Sequence, residues 1–257
     1  MTFDPRDFPY PLNVFLHVLT REEGAVAALH YGLFASKEES IGAAQDRSTT
    51  LLIGRLPPPP ASLLEVGIGL GSTLDRLTRL GYDAEGISPD ERQVAAARSL
   101  FGPGLRAHAA ALETFETTRR FDAIVFQESS QYIDSNALFE RTRRLATPGS
   151  TVVALDEFAL RPVDRPGALH RLDHFLDAAD QEGFRLEEEV DLSRAAAPTV
   201  DYFLERLPRH RDSLHAELDL TDAQIDALID SGRVYRDLYA SGAYGYRLLR
   251  FRAPARG

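Results

Sequence analysis

Residues 63–73 read Leu-Leu-Glu-Val-Gly-Ile-Gly-Leu-Gly-Ser-Thr. A short apolar run closes on Glu65. Glycines follow at Gly67, Gly69 and Gly71, and an amphipathic segment then begins. This spacing predicts a strand, a tight turn and a helix. Glycine permits positive φ and lets a ligand approach the main chain closely, so the turn is expected to meet its ligand with backbone.

Downstream of Pro57-Pro58-Pro59-Pro60, strand-like and helix-like stretches alternate. Strands are expected at 62–66, 83–87, 105–108, 122–126 and 150–155. Helices are expected at 72–80, 89–100 and 135–145. Pro89 suits a first helical turn, and Asp134 or Ser135 suits a cap. Such alternation implies a parallel sheet covered on both faces. A helix at 168–182 and a strand at 184–191 follow. Residues 194–241 read as polar and helical, interrupted at Pro198, Pro208 and Gly232, before a last strand at 244–251. Upstream, residues 14–19 are apolar, and 39–56 read as a helix ended by the prolines, which cannot continue it. The expected fold is α/β, a doubly wound, mostly parallel seven-stranded sheet. The expected divisions are an N-terminal helical segment or lid (1–56), a Rossmann-like core (57–193), a helical substrate cap (194–241) and the last core strand (242–257).

Composition narrows the class. The chain has 257 residues, 44% of them hydrophobic and 26% charged, which is ordinary for a globular protein. A formal net charge of −10 argues against a nucleic-acid binder, which would show a basic face. There is no cysteine, so thiolate chemistry and disulfides are excluded. The seven histidines form no metal-ligand motif, and no metal is expected. No apolar run approaches the roughly 20 residues of a membrane span. The N-terminus lacks a basic region followed by an apolar one, so no secretion signal is expected. The expectation is a cytoplasmic protein with a small-molecule substrate, compatible with a homodimer.

Two ligands compete for the glycine turn. A dinucleotide fingerprint is Gly-x-Gly-x-x-Gly, with a pyrophosphate at the helix N-terminus. Here the third glycine comes one residue early, and Glu65 is poorly placed for a diphosphate. A carboxylate there suits a cationic ligand. At this point the chain resembles a family. Glu65-x-Gly67-x-Gly69-x-Gly71 after an apolar strand is similar to the first motif of class I S-adenosylmethionine-dependent methyltransferases. The resemblance covers residues 30 to 158 and implies S-adenosyl-L-methionine as cofactor, its amino group served by Glu65.

The resemblance extends to further positions. Ser88 and Gln93 match the hydroxyl residue and the glutamine of the cyclopropane-fatty-acid and mycolic-acid synthase branch. Ala110 stands where many members have an aspartate, which implies adenine resting on Ala111 and Leu112. Gln127, Glu128 and Tyr132 follow the fourth strand, at an edge where parallel sheets bind ligands. Glu128 matches a glutamate near the reacting centre in the lipid-modifying branch. Tyr31, in His-Tyr-Gly-Leu-Phe, is similar to a tyrosine that closes over the cofactor's carboxylate. Gln45 and Ser48 follow it on the next helix.

The implied chemistry is methyl transfer by in-line displacement, in which the protein aligns the nucleophile and excludes water. Candidate bases are Glu128 and, one turn apart on the expected helix, His170 and His174. Asp156 and Glu157 are candidates for orienting the substrate. The polar, tyrosine-rich C-terminal region favours O- or N-methylation of a metabolite, as in natural-product biosynthesis. C-methylation or cyclopropanation of a lipid-like substrate, and a non-methylating scaffold or cyclase, stay open. A nicotinamide-dependent oxidoreductase would need an acidic residue where Ser88 stands. A nucleic-acid methyltransferase would be expected to carry an Asn/Asp-Pro-Pro-aromatic motif after the fourth strand.

Overall fold

The computed structural model describes residues 3–24, 26, 28–36 and 38–255. The seven strands are β1 (Ser62–Val66), β2 (Asp83–Ser88), β3 (Ala107–Ala109), β4 (Phe121–Gln127), β5 (Ala146–Ala159), β6 (Arg185–Asp191) and β7 (Tyr244–Arg252). They form one sheet in the order β3-β2-β1-β4-β5-β7-β6. β1 to β5 pair in parallel, and β7 runs antiparallel between β5 and β6. The sheet is therefore mixed, with one reversed strand.

The helices are α1 (Leu12–Glu23), α2 (Ile41–Ile53), α3 (Ser72–Arg79), α4 (Glu91–Phe101), α5 (Ser135–Leu145), α6 (Leu172–Gln181), α7 (Ser193–Ala196), α8 (Pro198–Arg206), α9 (Arg211–Leu218) and α10 (Asp222–Ala240). Alternate residues of a strand face opposite sides, and here both sides are covered. Leu64, Val66, Ile124, Phe126, Val152 and Phe158 pack beneath α5 and α6 with Phe139 and Phe175. Leu63, Val125, Val153, Leu155, Tyr246 and Leu248 pack on the other face with Leu52, Leu74 and Leu77. Burying one such Phe or Leu stabilises the fold by about 1.5–3 kcal/mol. This explains why β1 and β4 are largely apolar, with Asp122 at the amino end of β4 and Glu65 and Gln127 near the carboxyl ends.

Several expectations need correction. Asp90 caps α4 by accepting from the Arg92 amide, so Pro89 lies just outside the helix. Asp134 caps α5. Gly232 does not interrupt α10. A capping box at Thr221 and Gln224 starts that helix, and Gly232 is where Leu204 of α8 packs against its backbone (a Cβ there would meet Leu204 Cδ2 at 2.9 Å). The helix after β5 starts at Leu172, so His170 precedes it and does not share a helical face with His174. No helix among the described residues is long and apolar enough to cross a membrane.

Candidate active site

The glycine turn joins β1 to α3. Gly67, Gly69 and Gly71 have φ of +79°, +52° and +83°, a region that disfavours side chains by roughly 1–2 kcal/mol. At Gly67 the constraint is also steric, since a Cβ would lie 2.3 Å from Ser129 Cβ. Ser129 cannot retreat freely, because its hydroxyl donates to the Val66 carbonyl at 2.5 Å. The turn is thus locked against the end of β4. Leu29, from the segment before α2, covers Gly69.

Strand alternation places four polar groups on one face. Glu65 follows Leu63, Gln127 follows Val125, Glu157 follows Leu155, and Tyr246 lies two residues before Leu248. Glu157 is directly opposite Tyr246 in the β5–β7 register. Glu65 is 2% exposed, and its Oε2 has no partner. Burial pushes its carboxyl up to about 8. A buried, unpartnered carboxylate beside a backbone turn fits an ammonium group.

Glu128 should point to the opposite face from Gln127. It does not, because its φ is +56°. That left-handed turn, costly for a non-glycine residue, brings its carboxylate round. Oε1 accepts from the Tyr246 phenol at 2.6 Å and from the Tyr31 amide at 2.5 Å. Tyr31 stacks on Tyr246 with ring centroids 5.9 Å apart. Glu157 Oε1 accepts from the Tyr239 phenol at 2.6 Å. Burial is the main cause holding Glu128 well above the carboxylate range, and nearby Glu157 adds to it. Burial likewise pushes Glu157 up to about 7.

Asp156 is committed to structure. It accepts from the Ser130 amide (2.8 Å) and hydroxyl (2.6 Å) and from the Gln131 amide and side chain (3.2 and 3.1 Å). Burial pushes it up to about 6 against those bonds. Arg247, opposite Asp156 in the register, is instead paired with Asp191 at 2.6 Å. Among the described residues, none of Glu65, Glu128, Asp156 and Glu157 has an ion-pair partner.

The remaining sequence candidates divide. Ser88 and Gln93 come together, the Ser88 hydroxyl donating to Gln93 Oε1 at 2.8 Å. Gln127 lies beside the turn, accepting from the Thr73 hydroxyl at 3.0 Å. Ala111 is half-buried and starts a 3-10 turn over Leu112–Thr114. The Leu112 side chain is buried in the core with Phe115 and Phe126, so only its backbone remains for a ligand. Tyr132 is 81% exposed, yet its phenol lies close enough to the site that desolvation, and then the charges of Asp156, Glu128 and Glu157, push it up to about 12. His174 is exposed in the first turn of α6. His170 stays near, its carbonyl accepting from the Ala159 amide at 2.9 Å. Tyr31 reaches the Glu128–Glu157 side of the site. Thr49 and Thr73 did not stand out in the sequence, since nothing marks a buried threonine as polar-paired. Adjacent acids closing the apolar β5 were the visible signal for Asp156 and Glu157.

Residues 64–154 match a family model described as a methyltransferase domain. Among curated proteins none matches the sequence. Three solved structures share the fold. The [4+2]-cyclase SpnF aligns with a TM-score of 0.80 at 20% identity, covering 99% of this chain and 98% of that one. A putative sarcosine dimethylglycine methyltransferase from Galdieria sulphuraria gives 0.81 at 14% identity, over 98% and 99%. The cyclopropane synthase MmaA2 from Mycobacterium tuberculosis gives 0.78 at 18% identity, over 88% and 90%. Residues 64–154 therefore carry a methyltransferase domain, built on this sheet and this glycine turn, and the chain as a whole shares the fold of these structures.

Proposed function

We propose that the protein transfers a methyl group from S-adenosylmethionine to a small amine. The observation that carries this reading is the pair Glu128 and Glu157, both bonded to tyrosine phenols and neither ion-paired among the described residues. Two partly desolvated carboxylates favour a cation, and tyrosine faces add cation–π attraction of about 0.5–2 kcal/mol.

The cofactor supplies an activated methyl group on a sulfonium. Gly67, Gly69 and Gly71 would offer it backbone, Glu65 would take its ammonium, and Ser88 with Gln93 would face its ribose. Ala111, Leu112 and Gln127 complete that side by the same reading. An amine enters protonated and must give up that proton before its lone pair can attack. Glu157, at about 7, lies closer to an amine's pKa than an ordinary carboxylate does. It and Glu128 are the groups placed to receive the proton, a contribution of roughly 10²–10⁴-fold. The 1–56 segment acts as a lid and 194–241 as the substrate cap in this reading.

The test offers methyl-labelled cofactor with a panel of primary, secondary and tertiary amines beside hydroxyl analogues of matched shape. Label in the amines supports the reading. Label in the hydroxyl compounds alone contradicts it.

A further inference from the structure

A buried chain of side chains connects the glycine turn to the lid, and its hydrogen-bond directions are determined. His30 Nδ1 lies 3.0 Å from the Tyr31 carbonyl. A carbonyl only accepts, so Nδ1 carries the proton. Burial pushes the imidazole down to about 4 and keeps it neutral, so Nε2 accepts. The Thr49 hydroxyl, 3.1 Å away, donates to it. Gln127 Nε2 donates in turn to Thr49 Oγ1 at 3.4 Å, and the Thr73 hydroxyl, at the start of α3, donates to Gln127 Oε1 at 3.0 Å. Meanwhile Gln45 Nε2 donates to the His30 carbonyl at 2.7 Å. Both peptides flanking Tyr31 are therefore held, the preceding one by Gln45 and the following one by His30. The Tyr31 amide that donates to Glu128 belongs to the preceding peptide, one Cα away from the carbonyl that His30 holds.

We propose that His30 is a positioning residue, whose Nδ1–H fixes the Tyr31 carbonyl and, together with Gln45 on the preceding peptide, orients the Tyr31 backbone so that its amide holds the Glu128 carboxylate in the acceptor site. The role rests on the reading of Glu128 given above. The same histidine ties the Tyr31 carbonyl, through Thr49 and Gln127, to the first turn of α3 after the glycine loop. Order at the cofactor side is thereby transmitted to the acceptor side by a continuous string of bonds. No other histidine is bonded to this string among the described residues. The segment is fastened elsewhere as well, with the Gly32 amide donating to Thr199 Oγ1 of α8 at 3.1 Å, so losing His30 should shift Tyr31 without unfolding the lid.

The groups facing Glu128 are Glu157 and Asp156 from β5, Tyr246 from β7, the Tyr132 phenol after β4, and the backbone and phenol of Tyr31. The Tyr31 amide favours the ionised carboxylate. Losing it raises the Glu128 pKa, so the acidic limb of kcat/KM moves to higher pH. Three variants separate positioning from bulk structure. His30→Asn keeps a donor at the Nδ1 position for the Tyr31 carbonyl. His30→Gln keeps only the acceptor for Thr49, and His30→Ala keeps neither.

The experiment measures amide hydrogen exchange across residues 28–34, with the pH profile of methyl transfer as second readout. His30→Ala and His30→Gln should lose protection at Tyr31 while β1 and β4 keep theirs. Their kcat/KM should fall about ten- to a hundredfold, with the acidic limb displaced upward. His30→Asn should restore both. Unchanged protection at Tyr31 in His30→Ala, or an equal loss in all three variants with no movement of the limb, overturns the proposal. A wild-type protein that transfers no methyl group to any amine would sink the functional reading alone, because the exchange measurement still decides whether His30 holds Tyr31.

Discussion

The phenol of Tyr246 donates to Oε1 of Glu128 at 2.6 Å, joining the one reversed strand of the sheet to the end of β4. The bond exists because Glu128 adopts a left-handed φ of +56°. Without that turn its carboxylate would face the opposite side of the sheet. Tyr246→Phe leaves the packing and removes the donor. It is expected to lower kcat more than it raises KM, by about tenfold. Glu128→Gln is expected to lower kcat by roughly 10²–10⁴-fold with cofactor affinity retained. Steady-state kinetics with a titrated cofactor checks both.

Two glycines of one turn should respond differently to a side chain. A Cβ at Gly69 meets only Leu29, at 3.5 Å or more, so Gly69→Val should carry the positive-φ strain of about 1–2 kcal/mol, still fold, and lose cofactor binding. A Cβ at Gly67 collides with Ser129 at 2.3 Å, so Gly67→Ala should cost about 2–4 kcal/mol of stability from overpacking and positive φ together. Thermal unfolding beside a cofactor-product titration separates the two outcomes.

Glu65 makes cofactor binding depend on pH. Its carboxyl, pushed up to about 8 by burial, lies above its unfolded value near 4.3. The folded state therefore binds more protons than the unfolded state between those values. This group's contribution to stability rises as pH falls from about 8 towards 5. An ammonium beside Glu65 needs the ionised form, so binding at pH 7 should release a proton and weaken as pH falls. Calorimetry in buffers of different ionisation enthalpy reads the proton directly. Glu65→Gln should bind about ten- to a hundredfold more weakly and release none.

Much of this architecture was legible in the sequence, for physical reasons. Gly67, Gly69 and Gly71 are needed for a backbone-lined turn, and the apolar runs of β1 and β4 can only be strands buried on both faces. Ser88 and Gln93 were readable because five residues span a strand end and the next helical turn. What stayed hidden was tertiary. Pro89 and Gly232 look like helix punctuation, but Asp90 takes the cap and Leu204 of α8 packs where Gly232 has no side chain. The spacing of His170 and His174 suggests one helical face, yet the helix begins between them. The approach of Glu128 to Tyr31 and Tyr246 joins three segments far apart in the chain, and depends on a backbone angle that no residue type signals.

The central claim is that the turn at Gly67–Gly71 with Glu65 holds a sulfonium nucleotide by its amino acid end. Calorimetric titration of the wild-type protein with S-adenosylhomocysteine, beside the same titration with NAD, tests it most directly. The account predicts saturable one-to-one binding of S-adenosylhomocysteine and no heat from NAD. Binding of NAD with none of S-adenosylhomocysteine would contradict it.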